Sequence, residues 1–284
     1  MALRLAVFLV LAALAVTSAA AETVSLRRSD GATTTVRAYP PEGACRGIAV
    51  LSHGAGGSEA GLGYLGQGLS GAGWLVVAPG HAESGMAALR AHARGQGRGL
   101  REALAQLVAD PAAHAARLDD IGAALNWAQT WAQARCPGGQ EVLIGHSMGA
   151  MTVMIEAGAR NLMGLRGQRR FDAYVALSPQ GPGSVFPEDA WTGIAAPVLM
   201  LTGTRDRALE GGWEGRLVPF ESLPPPCKWL GVIDGARHKD LGGRGRDSRT
   251  GALVMATVTD FLNGARAGDC RPPPLREGMT LRAR

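Results

Sequence analysis

Hydrophobic residues along this chain form short, nearly continuous runs that are separated by longer amphipathic stretches. Six runs have the length of a strand and lie at 48–52, 74–78, 142–145, 173–177, 197–202 and 228–233. Continuous aliphatic and β-branched runs are typical of strands that are buried on both faces of a parallel sheet. Ahead of them, residues 23–28 and 33–38 alternate around Asp30-Gly31, which predicts an antiparallel hairpin at the edge.

Helical patterns lie between these strands. Leu118, Ile121, Leu125 and Ala128 form one apolar stripe, and a second helical pattern covers 252–262. Repeated alternation of strand and helix predicts an α/β fold with a mostly parallel sheet of about eight strands and helices on both faces. Ligands of such sheets bind at the carboxyl ends of the strands, so the functional residues are expected just after each strand.

Two connections, 81–116 and 178–196, are too long to be simple turns. Long connections in compact domains are often functional, and we expect both to cover the site at the carboxyl ends of the strands. The domain itself is expected to span 22–270. Residues 271–284, which include three consecutive prolines, are predicted to form an exposed and flexible extension.

The first 21 residues have the features of a secretory signal peptide. A positive start is followed by an apolar run at 5–16 and by three alanines before Glu22. The alternative is an uncleaved membrane anchor, but a spanning helix needs about 20 apolar residues and this run is shorter. We therefore expect an exported protein, periplasmic or extracellular, that has no stable membrane anchor after cleavage.

The four cysteines agree with an oxidising destination, where thiols tend to pair. None has the spacing of a metal site, and four cysteines allow three connectivities. Cys45, Cys136 and Cys227 each precede a predicted strand, whereas Cys270 follows the last predicted helix. This placement favours the pairs Cys45–Cys136 and Cys227–Cys270.

The formal net charge of +5 does not indicate a nucleic-acid partner. Arg4 lies in the leader, and the last fourteen residues carry four arginines against one glutamate. The rest of the chain is therefore almost neutral, which is not the electrostatic footprint of a protein that binds a polyanion. The chain has no Walker lysine motif and no metal-binding spacing, so we expect neither cofactor nor metal.

The most informative motif is Gly145-His146-Ser147-Met148-Gly149, which has the form GxSxG. It follows a predicted strand directly and opens an apolar helix, which is the setting of a nucleophile elbow. The alternative is an ordinary glycine-rich crossover. As an elbow, the motif makes Ser147 the candidate nucleophile.

A serine nucleophile needs a base and an orienting carboxylate, and each should follow a later strand. Asp206 follows the strand at 197–202, and His238 follows the strand at 228–233. The order serine, aspartate, histidine is that of the α/β-hydrolases. Asp234 and Asp240 are alternative candidates for the acid. For both Asp206 and His238, the non-functional alternative is an ordinary loop residue at the surface.

The oxyanion of an acyl-transfer intermediate needs main-chain donors. One candidate is the N–H of Met148, directly after the nucleophile, and the other is Ala55 in the glycine-rich segment 52–58. Phe186, Trp191 and Trp213 flank the strand that leads to Asp206 and are candidates for the wall of an acyl pocket. Plain packing of a loop onto the sheet is the alternative for these aromatic residues.

Six segments together resemble a known family. They are LSHGAGGS (51–58), GWLVVAP (73–79), GHSMG (145–149), LSPQGPG (177–183), PVLMLTGTRD (197–206) and GARH (235–238). The chain resembles the exported dienelactone hydrolase-like proteins of bacteria, an α/β-hydrolase branch related to the platelet-activating-factor acetylhydrolases. The resemblance implies Ser147 as nucleophile, His238 as base, Asp206 as its orienting acid, and Ala55 and Met148 as oxyanion donors.

Three positions depart from this family. True dienelactone hydrolases use cysteine where this chain has Ser147, which argues against lactone cleavage. The acetylhydrolases carry their acid where this chain has Ser178-Pro179, and many relatives have an acidic residue at Gly80, before His81.

The leading hypothesis is a serine esterase acting on a small-molecule carboxylic ester. The alternatives are a phospholipase or lipase at a membrane surface and a non-catalytic binding module on the same fold.

Overall fold

One sheet organises the whole described part of the chain. The computed structural model describes residues 21–95, 99–209, 211–245 and 247–284. The strands are β1 Glu22–Arg27, β2 Thr33–Tyr39, β3 Gly47–Ser52, β4 Trp74–Pro79, β5 Gln140–His146, β6 Ala173–Leu177, β7 Val198–Arg205, β8 Lys228–Arg237 and β9 Met279–Ala283. Their order is β1-β2-β4-β3-β5-β6-β7-β8-β9.

The centre of the sheet is parallel and its edges are antiparallel. The pairs from β4 through β3, β5, β6 and β7 to β8 are parallel, whereas β1 with β2, β2 with β4, and β8 with β9 are antiparallel. The predicted mostly parallel sheet and the predicted edge hairpin are therefore confirmed.

Helices cover both faces of this sheet. They are α1 Gly63–Gly71, α2 Met86–Gly95, α3 Leu100–Val108, α4 Pro111–Ala132, α5 Met148–Ala157, α6 Val218–Ser222, α7 His238–Leu241 and α8 Ser248–Arg266. Asp110 and Asp247 begin α4 and α8 by accepting a hydrogen bond from the amide two residues further on. Such N-caps stabilise a helix by about 1 kcal/mol each.

The strand residues alternate between two buried layers. In β4, Leu75 and Val77 pack into the layer that contains residues of α4 and α5. Trp74, Val76 and Ala78 pack into the opposite layer, which contains residues of α1 and α8. Because both faces of the central strands are buried, their sequence is apolar without alternation.

The chain after Cys270 differs from its prediction. Residues 279–283 are not an exposed extension, because β9 pairs antiparallel with β8 from Trp229–Ala283 to Ile233–Met279. Met279 is buried in the sheet. The sheet therefore has nine strands within the described residues rather than about eight.

Both predicted disulfides are confirmed. Cys45 is bonded to Cys136 and Cys227 to Cys270, with Cα–Cα distances of 4.9 and 4.8 Å. The first ties the segment before β3 to the segment before β5, and the second ties the segment before β8 to the segment after α8.

The predicted signal peptide lies outside the described residues except for Ala21, and it stays a prediction. Among the helices that the structure describes, none combines the length and apolar character required to cross a bilayer.

Candidate active site

Ser147 lies at a sharp turn between β5 and α5. Its backbone has a φ of 58°, in the left-handed region that residues other than glycine rarely adopt. The flanking glycines permit this turn, because a Cβ on Gly145 would lie 2.7 Å from a methyl carbon of Val153. A Cβ on Gly149 would lie 2.7 Å from the carbonyl carbon of Ser52. The turn is therefore the strained strand-to-helix geometry of a nucleophile elbow.

Three side chains from the ends of three strands meet at this turn. The Nε2 atom of His238 lies 2.9 Å from the Oγ atom of Ser147, and its Nδ1 atom lies 2.8 Å from Oδ1 of Asp206. An ionised carboxylate only accepts hydrogen bonds, so the Nδ1 atom donates and Nε2 is left to accept from the serine hydroxyl. This is the arrangement in which an imidazole can take the proton of a serine.

Asp206 rather than its competitors contacts the histidine. Asp234 is exposed and accepts from the hydroxyl of Thr204, whereas Asp240 accepts from the N–H of Arg237. The Asp206 carboxylate is fully buried, and its Oδ2 atom accepts from the hydroxyl of Thr202 at 2.9 Å.

Asp206 is ionised despite its burial. Burial raises the pKa of this carboxyl, but the hydrogen bond from His238 and the charge of Arg216 outweigh it and hold the pKa below its ordinary value. Its negative charge is therefore present over the neutral pH range.

The glycine-rich loop after β3 lies against Ser147. A Cβ on Gly54 would lie 3.1 Å from the Cβ of Ser147, so the loop backbone approaches the serine closely. Ala55 follows in a turn that is closed by the hydrogen bond from the N–H of Gly57 to the carbonyl of Gly54. Met148 is the first residue of α5, and an N–H at this position has no acceptor within its helix. The structure thus places both predicted oxyanion residues beside Ser147.

A buried polar network supports the glycine-rich loop from behind. His81 donates from Nδ1 to Asp120 at 2.9 Å and accepts from the hydroxyl of Ser52 at 3.0 Å. Arg117 donates to the carbonyl of His53 at 2.8 Å and to Ser52 at 3.2 Å. His81, Arg117 and Asp120 are all fully buried. His81 therefore has a buried carboxylate partner, Asp120 on α4.

A small cavity of about 180 Å³ opens beside Ser147. Its walls include Ala55, Leu62, Leu104, Lys239 and Arg244 together with the serine and His238. Leu104 belongs to α3, so the first long connection, 81–116, contributes at least this residue to the wall of the cavity. Residues 96–98 of that connection are not described.

The three aromatic residues are not the pocket wall that the sequence suggested. Phe186 and Trp191 are 1% and 0% exposed and pack on each other in the core, with ring centroids 5.3 Å apart. Trp213 lines a different cavity together with Leu217 and Met279. None of the three lines the cavity beside Ser147. Phe186 and Trp191 are buried because the connection at 178–196 folds inwards onto the sheet, whereas Trp213 is half-buried.

Several residues of the site were not predicted from the sequence. Lys239 and Arg244 reach the cavity because α7 begins at His238 and places the next residues at its rim. His146 is buried and donates from Nε2 to the carbonyl of His238 at 2.9 Å, and burial lowers its pKa to about 3. Arg216, far from any motif, contacts both Asp206 and His238. Lys239 and His146 are each adjacent in sequence to a proposed site residue, which was a usable signal, whereas Arg216 and Arg244 had none.

Comparisons with known proteins identify the fold of the chain but no related sequence. No family model matches the chain, and no curated protein matches it. Among solved structures, the chain is similar to the crystal structure of TT1662 from Thermus thermophilus, with a TM-score of 0.55. The two are 17% identical, and the match covers 86% of this chain and 99% of the other. The chain has the α/β-hydrolase fold that its sequence predicts.

Proposed function

We propose that this chain is a serine hydrolase that cleaves carboxylic esters of modest size through an acyl-enzyme. The observation that carries the proposal is the continuous hydrogen-bonded row from Ser147 through His238 to Asp206, with distances of 2.9 and 2.8 Å. A nucleophile, a base and an orienting acid in this geometry are the parts required for acyl transfer.

The proposed reaction has two halves. The Oγ atom of Ser147 attacks the ester carbonyl carbon while Nε2 of His238 takes the hydroxyl proton, and the oxyanion forms against the N–H groups of Ala55 and Met148. The imidazolium then gives its proton to the departing alkoxide, which leaves as the alcohol. A water molecule, deprotonated by the same imidazole, releases the carboxylic acid and restores the serine.

The size of the cavity supports a short acyl group. Drug-sized ligands occupy pockets of about 300 to 1,000 Å³, and the space beside Ser147 is only about 180 Å³. An acetyl to butyryl group suits this space better than the chain of a phospholipid. The cavity therefore favours the esterase over the lipase alternative.

Export belongs to the same proposal. The leader motif at 1–21 is supported by two disulfides, since such bonds persist in oxidising compartments. We expect the purified mature protein to begin at Glu22 when its N-terminal sequence is determined. A mature protein that begins at Met1 would contradict the cleaved leader.

The turnover test uses p-nitrophenyl acetate and the full mature protein. We expect hydrolysis by the wild type and a loss of at least about 10³-fold in kcat for Ser147→Ala. The matched control is Ser25→Ala, because Ser25 is exposed on the edge strand β1 and distant from the site. The control is expected to keep wild-type activity. Equal activity of Ser147→Ala and wild type would remove the proposed nucleophile.

A further inference from the structure

Arg216 is a buried cation that the proposed mechanism does not use. It is 3% exposed and lies in the short turn Trp213–Arg216. Its Nε atom lies 2.9 Å from Oδ1 of Asp206, the same oxygen that accepts from His238. Its Nη2 atom lies 3.2 Å from Nδ1 of His238. The guanidinium is therefore in contact with two members of the proposed triad.

Arg216 also donates hydrogen bonds that hold the loops that follow β6 and β7. Nη1 donates to the carbonyls of Ser178 and Pro179 at 2.9 and 3.0 Å. Nε and Nη2 donate to the carbonyls of Asp206 and Arg207 at 2.8 and 3.0 Å. These bonds fix the guanidinium plane, so its charge cannot turn away from the carboxylate.

The contact between Arg216 and His238 is electrostatically repulsive when the imidazole is protonated. With the Nδ1 proton directed at Asp206, the Nη2 donor of Arg216 faces another donor rather than an acceptor. A positive charge this close opposes the formation of an imidazolium. In a site without such a cation, the carboxylate charge favours the imidazolium without opposition.

Other charged or titratable groups around His238 do not replace this contact. His146 packs its ring against that of His238 with centroids 4.7 Å apart, and burial, which lowers its pKa to about 3, keeps it neutral. The remaining groups lie on the segment of His238 itself or at the rim of the cavity: Arg237, Lys239, Asp240 and Arg244. Arg237, Lys239 and Arg244 are exposed, and the Asp240 carboxylate accepts from the N–H of Arg237.

We propose that Arg216 is a positioning residue whose positive charge offsets the negative charge of Asp206. His238 therefore stays available as a base at lower pH than it would in a triad without this cation. The inference rests on the proposed function, because it assigns a task to His238. A purely structural Arg216 would bind the loop carbonyls and change only stability. The two roles differ in their effect on the pH profile.

The test compares the pH dependence of kcat/KM for p-nitrophenyl acetate in wild type, Arg216→Gln and Arg216→Lys. We expect Arg216→Gln to move the acid limb to higher pH by about one unit, because the imidazolium loses an opposing charge. Arg216→Lys keeps a cation and should restore a limb close to that of the wild type. Arg205→Gln is the matched control, since Arg205 is an exposed arginine next to Asp206, and we expect an unchanged limb. An acid limb at the same pH in folded Arg216→Gln and wild type would overturn the inference.

A measurement on the wild-type protein tests the same inference if the Arg216 variants do not fold. In ¹⁵N-arginine-labelled wild type, we expect one protected Nε–H resonance to shift with the same midpoint as the acid limb. If no arginine resonance follows that midpoint, Arg216 does not sense the base and the inference is wrong.

The failure of the proposed function is separable from this result. If the wild type shows no turnover, the proposed function fails. The imidazole resonance of His238 in wild type and Arg216→Gln then provides the readout. An unchanged imidazole midpoint would still overturn the role of Arg216.

Discussion

The Nε2 atom of His238 lies 2.9 Å from the Oγ atom of Ser147, although 91 positions of sequence separate the two residues. The contact exists because β5 and β8 end at the same edge of the sheet, with β6 and β7 between them. Each side chain leaves its strand at the first turn of a helix, α5 for the serine and α7 for the histidine. The proposed chemistry is thus a product of strand order.

The elbow requires a glycine two residues after the serine. A Cβ on Gly149 would lie 2.7 Å from the carbonyl carbon of Ser52, so Gly149→Ala must push α5 away from β3. We expect a loss of about 1 to 3 kcal/mol in the free energy of unfolding and a large fall in kcat. Gly251→Ala, whose new Cβ meets only Tyr64 at 4.0 Å, is the control in urea denaturation. Equal stability of the two variants would argue against the tight elbow.

Stability should decrease in acid because of His114. Burial lowers the pKa of this histidine from 6.5 to about 4, and its Nε2 atom donates to the carbonyl of Val108. In the unfolded chain His114 binds a proton below about pH 6.5, whereas in the folded chain it binds one only below about pH 4. Stability is therefore complete above pH 6.5 and falls between these values, by an amount on the order of 3 kcal/mol.

The variant His114→Gln tests this slope, because glutamine can keep the donor to Val108 without titrating in this range. We expect its urea midpoint to depend less on pH between 7 and 4.5 than that of the wild type. His92→Gln, a change at a partly exposed histidine, is the control. A variant slope as steep as that of the wild type would assign the acid sensitivity to other groups.

The disulfide between Cys45 and Cys136 should contribute more stability than the other. It joins residues 91 positions apart, whereas Cys227 and Cys270 are 43 apart, and the longer loop restricts the unfolded chain more. Replacing Cys45 and Cys136 together by alanine should reduce the free energy of unfolding by about 2 to 5 kcal/mol. The Cys227→Ala/Cys270→Ala pair, measured in the same thermal melts, should lose less. The opposite ranking would show that native packing, rather than loop length, dominates.

Leu104 should limit the length of the acyl group. It reaches the cavity beside Ser147 from α3, one of the helices of the first long connection. Leu104→Ala lengthens the cavity, and we expect the ratio of kcat/KM for hexanoate over acetate esters to rise by about tenfold. Leu100→Ala, on the same helix and 63% exposed in the wild type, should leave the ratio unchanged. If both variants keep the wild-type ratio, the acyl group lies elsewhere.

The sequence predicted those parts of the molecule that have a local pattern. The runs at 48–52 and 173–177 are strands because both faces are buried, and the GxSxG motif forms an elbow because its glycines meet neighbouring backbone. Asp206 and His238 could be chosen because each follows a strand.

Other parts depend on tertiary packing alone. The strand β9 has only five residues, and the prolines before it suggested an extension. Phe186 and Trp191 turn into the core, which their residue types could not distinguish from a pocket wall. Arg216 has no motif of its own, and its contact with Asp206 arises from the packing of a short turn beneath the site.

The most direct measurement is covalent labelling of the mature protein by a fluorophosphonate, followed by mass spectrometry of its peptides. A serine activated by His238 should add one phosphonyl group at Ser147, whereas the Ser147→Ala variant should stay unlabelled and Ser25→Ala should label like the wild type. An unmodified Ser147 peptide in folded wild type at neutral pH, or equal labelling of the Ser147→Ala variant, would contradict the proposed nucleophile.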